Sequence, residues 1–170
     1  METGYKLTER VASMTTRFSR DVGEYKTVAA YMNAHHFALT ADLLTSGFKS
    51  SDIENAVNSG EIKVAHWPAK DPKTDFYWAS DAESQRVLDE MAEEATRLCY
   101  GQNSNEPLGG NFRTVGVEMG SQQRGLVGLI YAREQGKVRE VDIDIMGDGC
   151  QPLYLAKGSF SDKLFEKFQL

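Results

Sequence analysis

Apolar residues recur at three- and four-residue spacing from Tyr25 to Phe37, with Tyr25, Val28, Ala29, Tyr31, Met32 and His36 on one stripe. This pattern predicts a helix closed by Phe37. A second, short helix is expected over Thr40–Thr45, with Thr40 as N-cap and Leu43 and Leu44 facing the core. Gly47 then stops it in a left-handed turn over which Phe48 packs back. Ser50 or Ser51 caps a third helix running to about Asn58, with Glu54 at capping-box spacing from Ser51 and Ile53, Ala56 and Val57 inward. Glu61–Trp67 and Phe76–Ala79 read as the strands of a hairpin. Between them Pro68–Asp75 forms a polar tip.

Further along, Val87, Leu88, Met91, Ala95 and Leu98 make the apolar stripe of a helix over Ser84–Tyr100. A Gly-, Asn- and Pro-rich loop follows over 101–110. Phe112–Met119 alternates like a strand, Gly125–Arg133 reads as a buried strand, and Gln135-Gly136-Lys137 reads as a hairpin turn. Val138–Met146 alternates cleanly, with Val141, Ile143 and Ile145 on one face and Glu140, Asp142 and Asp144 on the other. Leu153–Ala156 supplies a fourth strand. Ser159 caps a last helix carrying Leu164, Phe165 and Phe168 on its apolar side.

The expected fold is α+β in three parts. Residues 1–21 form a polar arm, 22–81 a helical module with a hairpin, and 82–170 a module of helix, antiparallel β-meander and helix. Helix, short helix, glycine turn, third helix and hairpin is an order shared with winged helix-turn-helix proteins. The segment FALTADLLTSGFKSSDIENAVNSGEIKV resembles that superfamily in particular positions. Small Ala41 follows the cap, Leu43-Leu44 sits mid-helix, Gly47 lies at the turn, Ile53 and Val57 on the inner face, and Gly60 opens the wing. The resemblance covers about Tyr25 to Ala79.

It implies that the exposed face of the third helix meets a DNA groove, with the wing on the backbone. That face carries Lys49, Ser50, Ser51, Glu54, Asn55 and Asn58. Lys49, Ser51, Asn55 and Asn58, with Lys63, Lys70 and Lys73 of the wing, are the candidate DNA contacts. Charge complicates this picture. The net charge is −6, and neither part is basic: residues 1–81 hold 9 Lys and Arg against 11 Asp and Glu, the remainder 10 against 14. Phosphate neutralisation supplies most non-specific DNA affinity, so a balanced surface also fits a winged helix that contacts protein.

Other chemistry is thin. His35 and His36 are adjacent on a helix, so their side chains diverge by about 100° and do not suit one metal ion. Cys99 and Cys150 lack metal-ligand spacing and are expected to be unrelated thiols. Gln122–Gly128 superficially resembles the acetyl-CoA pyrophosphate loop of N-acetyltransferases. That loop must open a helix, and the strand expected here argues against it. Glu140, Asp142 and Asp144 stand about 7 Å apart on one strand face. They read as a solvated sheet face, as a Mg²⁺ pair for phosphodiester chemistry, or as an acidic surface that imitates DNA phosphates for a protein partner.

The sequence thus points to a non-enzymatic regulatory protein acting on DNA or a DNA-associated complex, with no metal and no cofactor. Its second module would dimerise or hold a partner. The alternative is a small acidic inhibitor, of the kind phages and plasmids carry, that binds a host nucleic-acid-processing or defence complex through Glu140, Asp142 and Asp144. With 41% hydrophobic residues, no long apolar run and no apolar leader, no membrane association is expected, and the expected compartment is the cytoplasm, or a host cytoplasm for a viral gene.

Overall fold

The computed structural model describes residues 23–69, 74–100, 109–142 and 152–168. In chain order the elements are α1 (Val28–His35), β1 (Phe37–Leu39), α2 (Thr40–Thr45), α3 (Ser50–Asn58), β2 (Ile62–Trp67), β3 (Thr74–Ala79), α4 (Ala82–Leu98), α5 (Phe112–Glu118), α6 (Gln122–Glu134), β4 (Val138–Asp142), β5 (Pro152–Ala156) and α7 (Phe160–Phe168). The protein is α+β. It divides into two units between Val87 and Leu88, inside α4.

In the first unit, α1 starts where the Thr27 hydroxyl accepts the Ala30 N–H at 3.1 Å. It ends at His36, whose φ of 72° turns the chain out of the helix. Phe37 therefore opens a strand and does not close the helix. β1 lies antiparallel on β3, with Phe37 opposite Trp78 and Leu39 opposite Phe76, and the sheet order is β1-β3-β2.

The next two helices share a start that differs from the expected caps. Neither Thr40 nor Ser50 or Ser51 is the N-cap. Asp42 accepts the Leu39 N–H at 2.9 Å, and Asp52 accepts the Lys49 N–H at 2.8 Å. An aspartate at the third helical position thus reaches back to the chain ahead of each helix, the return half of a capping box. Gly47 adopts φ +97°, and the Phe48 N–H reaches the Leu43 carbonyl at 3.2 Å, as the glycine turn implied.

The core of this unit gathers Val28, Tyr31, Met32, Ala38, Leu43, Ile53, Ala56, Ile62, Tyr77 and Ala79, with Phe48, Val57 and Val64 partly buried against it. Leu44, expected inward, is 44% exposed. The four aromatics of the hairpin, Trp67, Phe76, Tyr77 and Trp78, divide between the two faces of the sheet. Cross-strand pairing puts Val64, Tyr77 and Ala38 on the helix-facing side, and Ala65, Phe76 and Leu39 on the reverse. Trp67, Phe76 and Trp78 belong to that reverse face, where Leu39 and Ala65 are buried with them. Only Tyr77 of the four aromatics lies in the three-helix core.

In the second unit, Leu88, Met91, Ala92, Ala95 and Cys99 bury the inner face of α4 and the residue that follows it. Two expected strands are helices. Asn111 accepts the N–H groups of Arg113 and Thr114, both at 3.0 Å, and opens α5. Ser121 accepts that of Arg124 at 3.1 Å and opens α6. Eight consecutive residues of α6, Gly125–Ala132, are buried. A helix enclosed on all sides loses its periodicity and, with two glycines, reads like a buried strand.

Glycines let α6 sit where it does. A Cβ on Gly125 would lie 2.6 Å from the Gly116 Cα, one on Gly116 2.6 Å from the Gln122 Cα, and one on Gly128 2.7 Å from the Met91 carbonyl oxygen. Gly136, expected in a hairpin turn, instead ends α6 at φ +73°, with the Lys137 N–H on the Ala132 carbonyl at 2.8 Å. The expected four-stranded meander is, among the described residues, one antiparallel pair, with Val138 opposite Ala156 and Val141 opposite Leu153. Residues 143–146 of the expected strand lie outside the described residues. Ser159 caps α7 as expected, its hydroxyl accepting the Asp162 N–H at 3.2 Å.

Ile53 is 5% exposed within the first core. Ile53→Ala is expected to destabilise the protein by about 2–4 kcal/mol in denaturant unfolding, by lost burial plus the cavity left behind. A loss below about 1 kcal/mol would mean that α3 packs through another face.

Candidate nucleic-acid interface

α3 presents its polar side to solvent because its apolar residues are confined to Ile53, Ala56 and Val57. Ser51, Asn55 and Asn58 are exposed along it, and Lys49 is exposed at its start. These four candidates share one helix and its cap. Asp52 and Glu54 lie on the same exposed surface. The Asp52 carboxylate is engaged by the Lys49 backbone N–H, so part of its charge is directed at the helix end.

Lys63 is exposed on β2 but stands opposite Trp78, on the reverse face of the sheet from the helices. It is therefore not continuous with Lys49 and Asn55. Lys70 and Lys73 lie outside the described residues. Where the hairpin is described, His66 Nδ1 and Asp75 Oδ1 approach to 2.6 Å between two exposed side chains, a pair that ties the strands together near the tip.

The two adjacent histidines have separate surroundings. His35 packs against the rings of Tyr31 and Tyr25, at 4.3 and 5.6 Å between centroids. His36 Nδ1 lies 2.8 Å from the Ser84 hydroxyl, which donates to Asp81 Oδ2 at 2.6 Å. The hydroxyl and backbone N–H of Ser84 hold the Asp81 carboxyl below its ordinary pKa. Ser84 sits between the other two groups with its proton directed at the carboxylate. The order is that of a helix-start clamp and not of an activated nucleophile. Among the described residues no three His, Cys, Asp or Glu side chains are placed to hold a metal ion.

Glu140 departs most from the sequence expectation. It does not stand on a solvated face: its side chain is 6% exposed. Its Oε2 accepts from Arg133 Nη1 at 2.6 Å and from the Tyr154 hydroxyl at 2.8 Å. Arg133, 11% exposed, also donates to Glu134 at 2.9 Å. Burial alone would lower the Arg133 pKa, but the charge and hydrogen bonds of Glu140 outweigh it and leave the pKa raised. A charge so enclosed joins α6 to the β4–β5 pair and is not open to a partner. The Asp142 side chain and Asp144 lie outside the described residues.

The ground for setting aside the acetyl-CoA resemblance also changes, because Gln122–Gly128 does open a helix. Of the N–H groups at its start, that of Arg124 is taken by the Ser121 hydroxyl and that of Gly125 by the Ser121 carbonyl at 3.1 Å. Both glycines of the segment face close-packed backbone, and the element before it is a helix. Cys99 is fully buried, and burial pushes its thiol up to about 12 while a Gly110 backbone hydrogen bond works the other way. Cys150 lies outside the described residues. Among the described residues no helix is long and apolar enough to cross a membrane.

The chain matches no family model, no curated protein and no solved structure.

Two outcomes follow from these surroundings. Glu140→Ala is expected to cost about 3–5 kcal/mol in urea unfolding, since it strands a buried guanidinium; a solvated carboxylate would cost no more than about 0.5 kcal/mol. In a Cys150→Ser variant, Cys99 is expected to resist a thiol-disulfide reagent at pH 8 until the protein unfolds. Above about pH 8.5 the unfolded thiol ionises while the folded one keeps its proton, so this group lowers stability as pH rises toward 12. Rapid labelling of the native variant would contradict the burial.

Proposed function

We propose that the protein is a non-enzymatic regulator whose first unit works as a winged helix-turn-helix on DNA or a DNA-associated complex. The observation that carries this reading is the run α1, β1, α2, glycine turn, α3, β2, β3. Its sheet backs three helices on one side, and α3 turns an unbroken polar face to solvent. A helix pair joined through a tight glycine turn, followed by a hairpin, is the arrangement in which the later helix enters a groove. Lys49 is the phosphate contact on this surface and Asn55 the base reader, because an amide pairs with adenine in the major groove. The wing contacts are assigned to Lys70 and Lys73 ahead of Lys63, which faces away from α3. The second unit would serve dimerisation or partner binding, and a homodimer would double contacts that are weak singly.

The reading of the chain as a small acidic inhibitor has less support. It drew on Glu140, Asp142 and Asp144 as one surface, and Glu140 is committed to Arg133 and Tyr154. Reversing the charge at position 140 would therefore disturb the fold before it tested any partner.

Titration with duplex DNA at low salt tests the proposal, because a phosphate-binding surface is strongest there. Lys49→Ala is expected to weaken binding to all sequences and to reduce the salt slope by about one unit. Asn55→Ala is expected to relax sequence preference, at about 1–3 kcal/mol on the preferred site. Absence of DNA affinity at low salt would remove direct DNA binding. Affinity that neither variant changes would remove α3 as its surface.

A further inference from the structure

The second unit carries a cleft that the reading above does not use. It opens beside the end of α4, has a volume of about 400 Å³, and is lined by Glu93, Thr96, Arg97, Tyr100 and Lys137. That volume falls in the range of about 300–1,000 Å³ usual for small-molecule sites. The last turns of α4 supply one wall, and the turn at Gly136 delivers Lys137 to the other.

Two features single the cleft out. The first is charge. Lys137 and Lys157 continue the β4–β5 register one step past Val138 and Ala156, joined by the Lys157 N–H on the Lys137 carbonyl at 3.0 Å. Directly opposed residues share a face, and like charges there repel. A Cβ on Gly136 would lie 3.8 Å from Lys157 Nζ, so the Lys157 ammonium lies at the turn that carries Lys137, next to the cleft and outside its lining. Arg97 adds a third cation. The carboxylate in the cleft is Glu93, 75% exposed and 3.9 Å from Lys137 Nζ, and an exposed pair at that distance contributes little. Among the lining residues two cations, Arg97 and Lys137, thus stand against the one carboxylate of Glu93, on a chain of net charge −6, while the nearby Asp89 is engaged by the Gln135 amide. The second feature is the Tyr100 side chain. It is 46% exposed, leaving an aromatic face in water at the rim of a largely carbon-walled cleft.

We propose that this cleft binds a nucleotide, with its phosphate between Lys137, Lys157 and Arg97 and its base stacked on Tyr100. The phosphate relieves the opposed lysines and gives the guanidinium a two-point partner. The base covers the exposed ring, a contact that tolerates any base. The ligand is a free mononucleotide or a nucleotide unit of a single strand. The proposal stands apart from the α3 surface, and either can fail without the other.

Calorimetric titration of the full-length protein with inorganic phosphate, 5′-AMP, 5′-UMP and an oligothymidylate tests it. Saturable 1:1 binding of the mononucleotides is expected, weakening as salt is added. Lys137→Ala with Lys157→Ala is expected to weaken it at least about tenfold. Tyr100→Leu is expected to weaken nucleotide binding several-fold while leaving inorganic phosphate unchanged, and Glu93→Gln to tighten both. All these side chains reach solvent, and circular dichroism checks that each variant is folded; Lys157→Gln replaces the double variant if that one is not. An oligothymidylate bound tighter than the mononucleotides through Tyr100 identifies a strand as the source, and equal affinity a free nucleotide. No saturable binding of any nucleotide probe at millimolar concentration overturns the proposal. So does binding that the cleft variants leave unchanged, including oligonucleotide binding that responds only to Lys49→Ala or Asn55→Ala.

Discussion

Backbone meeting backbone at Gly116, Gly125 and Gly128 is the constraint on which the second unit depends. At each position the space a Cβ would occupy is already filled, twice by main chain of the α5–α6 pair and once by the Met91 carbonyl of α4. Helix axes ordinarily stay 8–10 Å apart because side chains hold them there, and glycine permits a closer approach. The close fit lets α6 be buried along eight consecutive residues. Once α6 is enclosed, Arg133 near its end has little access to water, and Glu140 of β4, itself held by the Tyr154 hydroxyl of β5, must serve it. Small residues, a buried helix and an internal ion pair are therefore successive consequences of one packing decision.

Much of the first unit was legible in the sequence. The polar spacing of α1 and α3, the left-handed Gly47 and the hairpin strands all appear where the pattern puts them, because α1, α3 and β2 keep an exposed side and show a period, and β3 is found as the second strand of the hairpin although it is buried on both faces. What escaped notice has local causes. β1 is three residues long and follows a histidine with positive φ, too short to leave a pattern. Ser and Thr are the residues that composition favours at these helix starts, whereas Asp42 and Asp52 act from inside the first turn, a return contact that sequence shows only when both ends are considered. Leu44 seemed paired with Leu43, yet two adjacent residues on a helix cannot both face the core.

The second unit was misread because α6 has no polar face. Leu126-Val127-Gly128-Leu129-Ile130 is the composition of an interior strand, and the signals that oppose it are the capping residues Asn111 and Ser121, to which the strand reading gives no role. Glu140 shows the matching error on a true strand: alternation correctly placed it opposite Val141, but says nothing of what lies over that face. The α3 surface was better served, since exposed polar residues on an amphipathic helix need only the period to be located. The cleft beside α4 left no pattern, because Lys137 reaches Arg97 only through the Gly136 turn and stands beside Lys157 only through the β4–β5 register.

The order β1-β3-β2 leaves β2 at an edge of its sheet, with the sequence Ile-Lys-Val-Ala-His-Trp. A short, strongly β-forming strand at a sheet edge invites a second chain to add on, and proteins commonly blunt such edges with an outward lysine. Lys63 occupies that position, and His66 with its Asp75 partner is the other polar interruption. Whatever Lys63 does for a ligand, its charge also keeps one molecule from zipping onto the next. On this edge the guard against pairing between copies is two polar side chains of a six-residue strand.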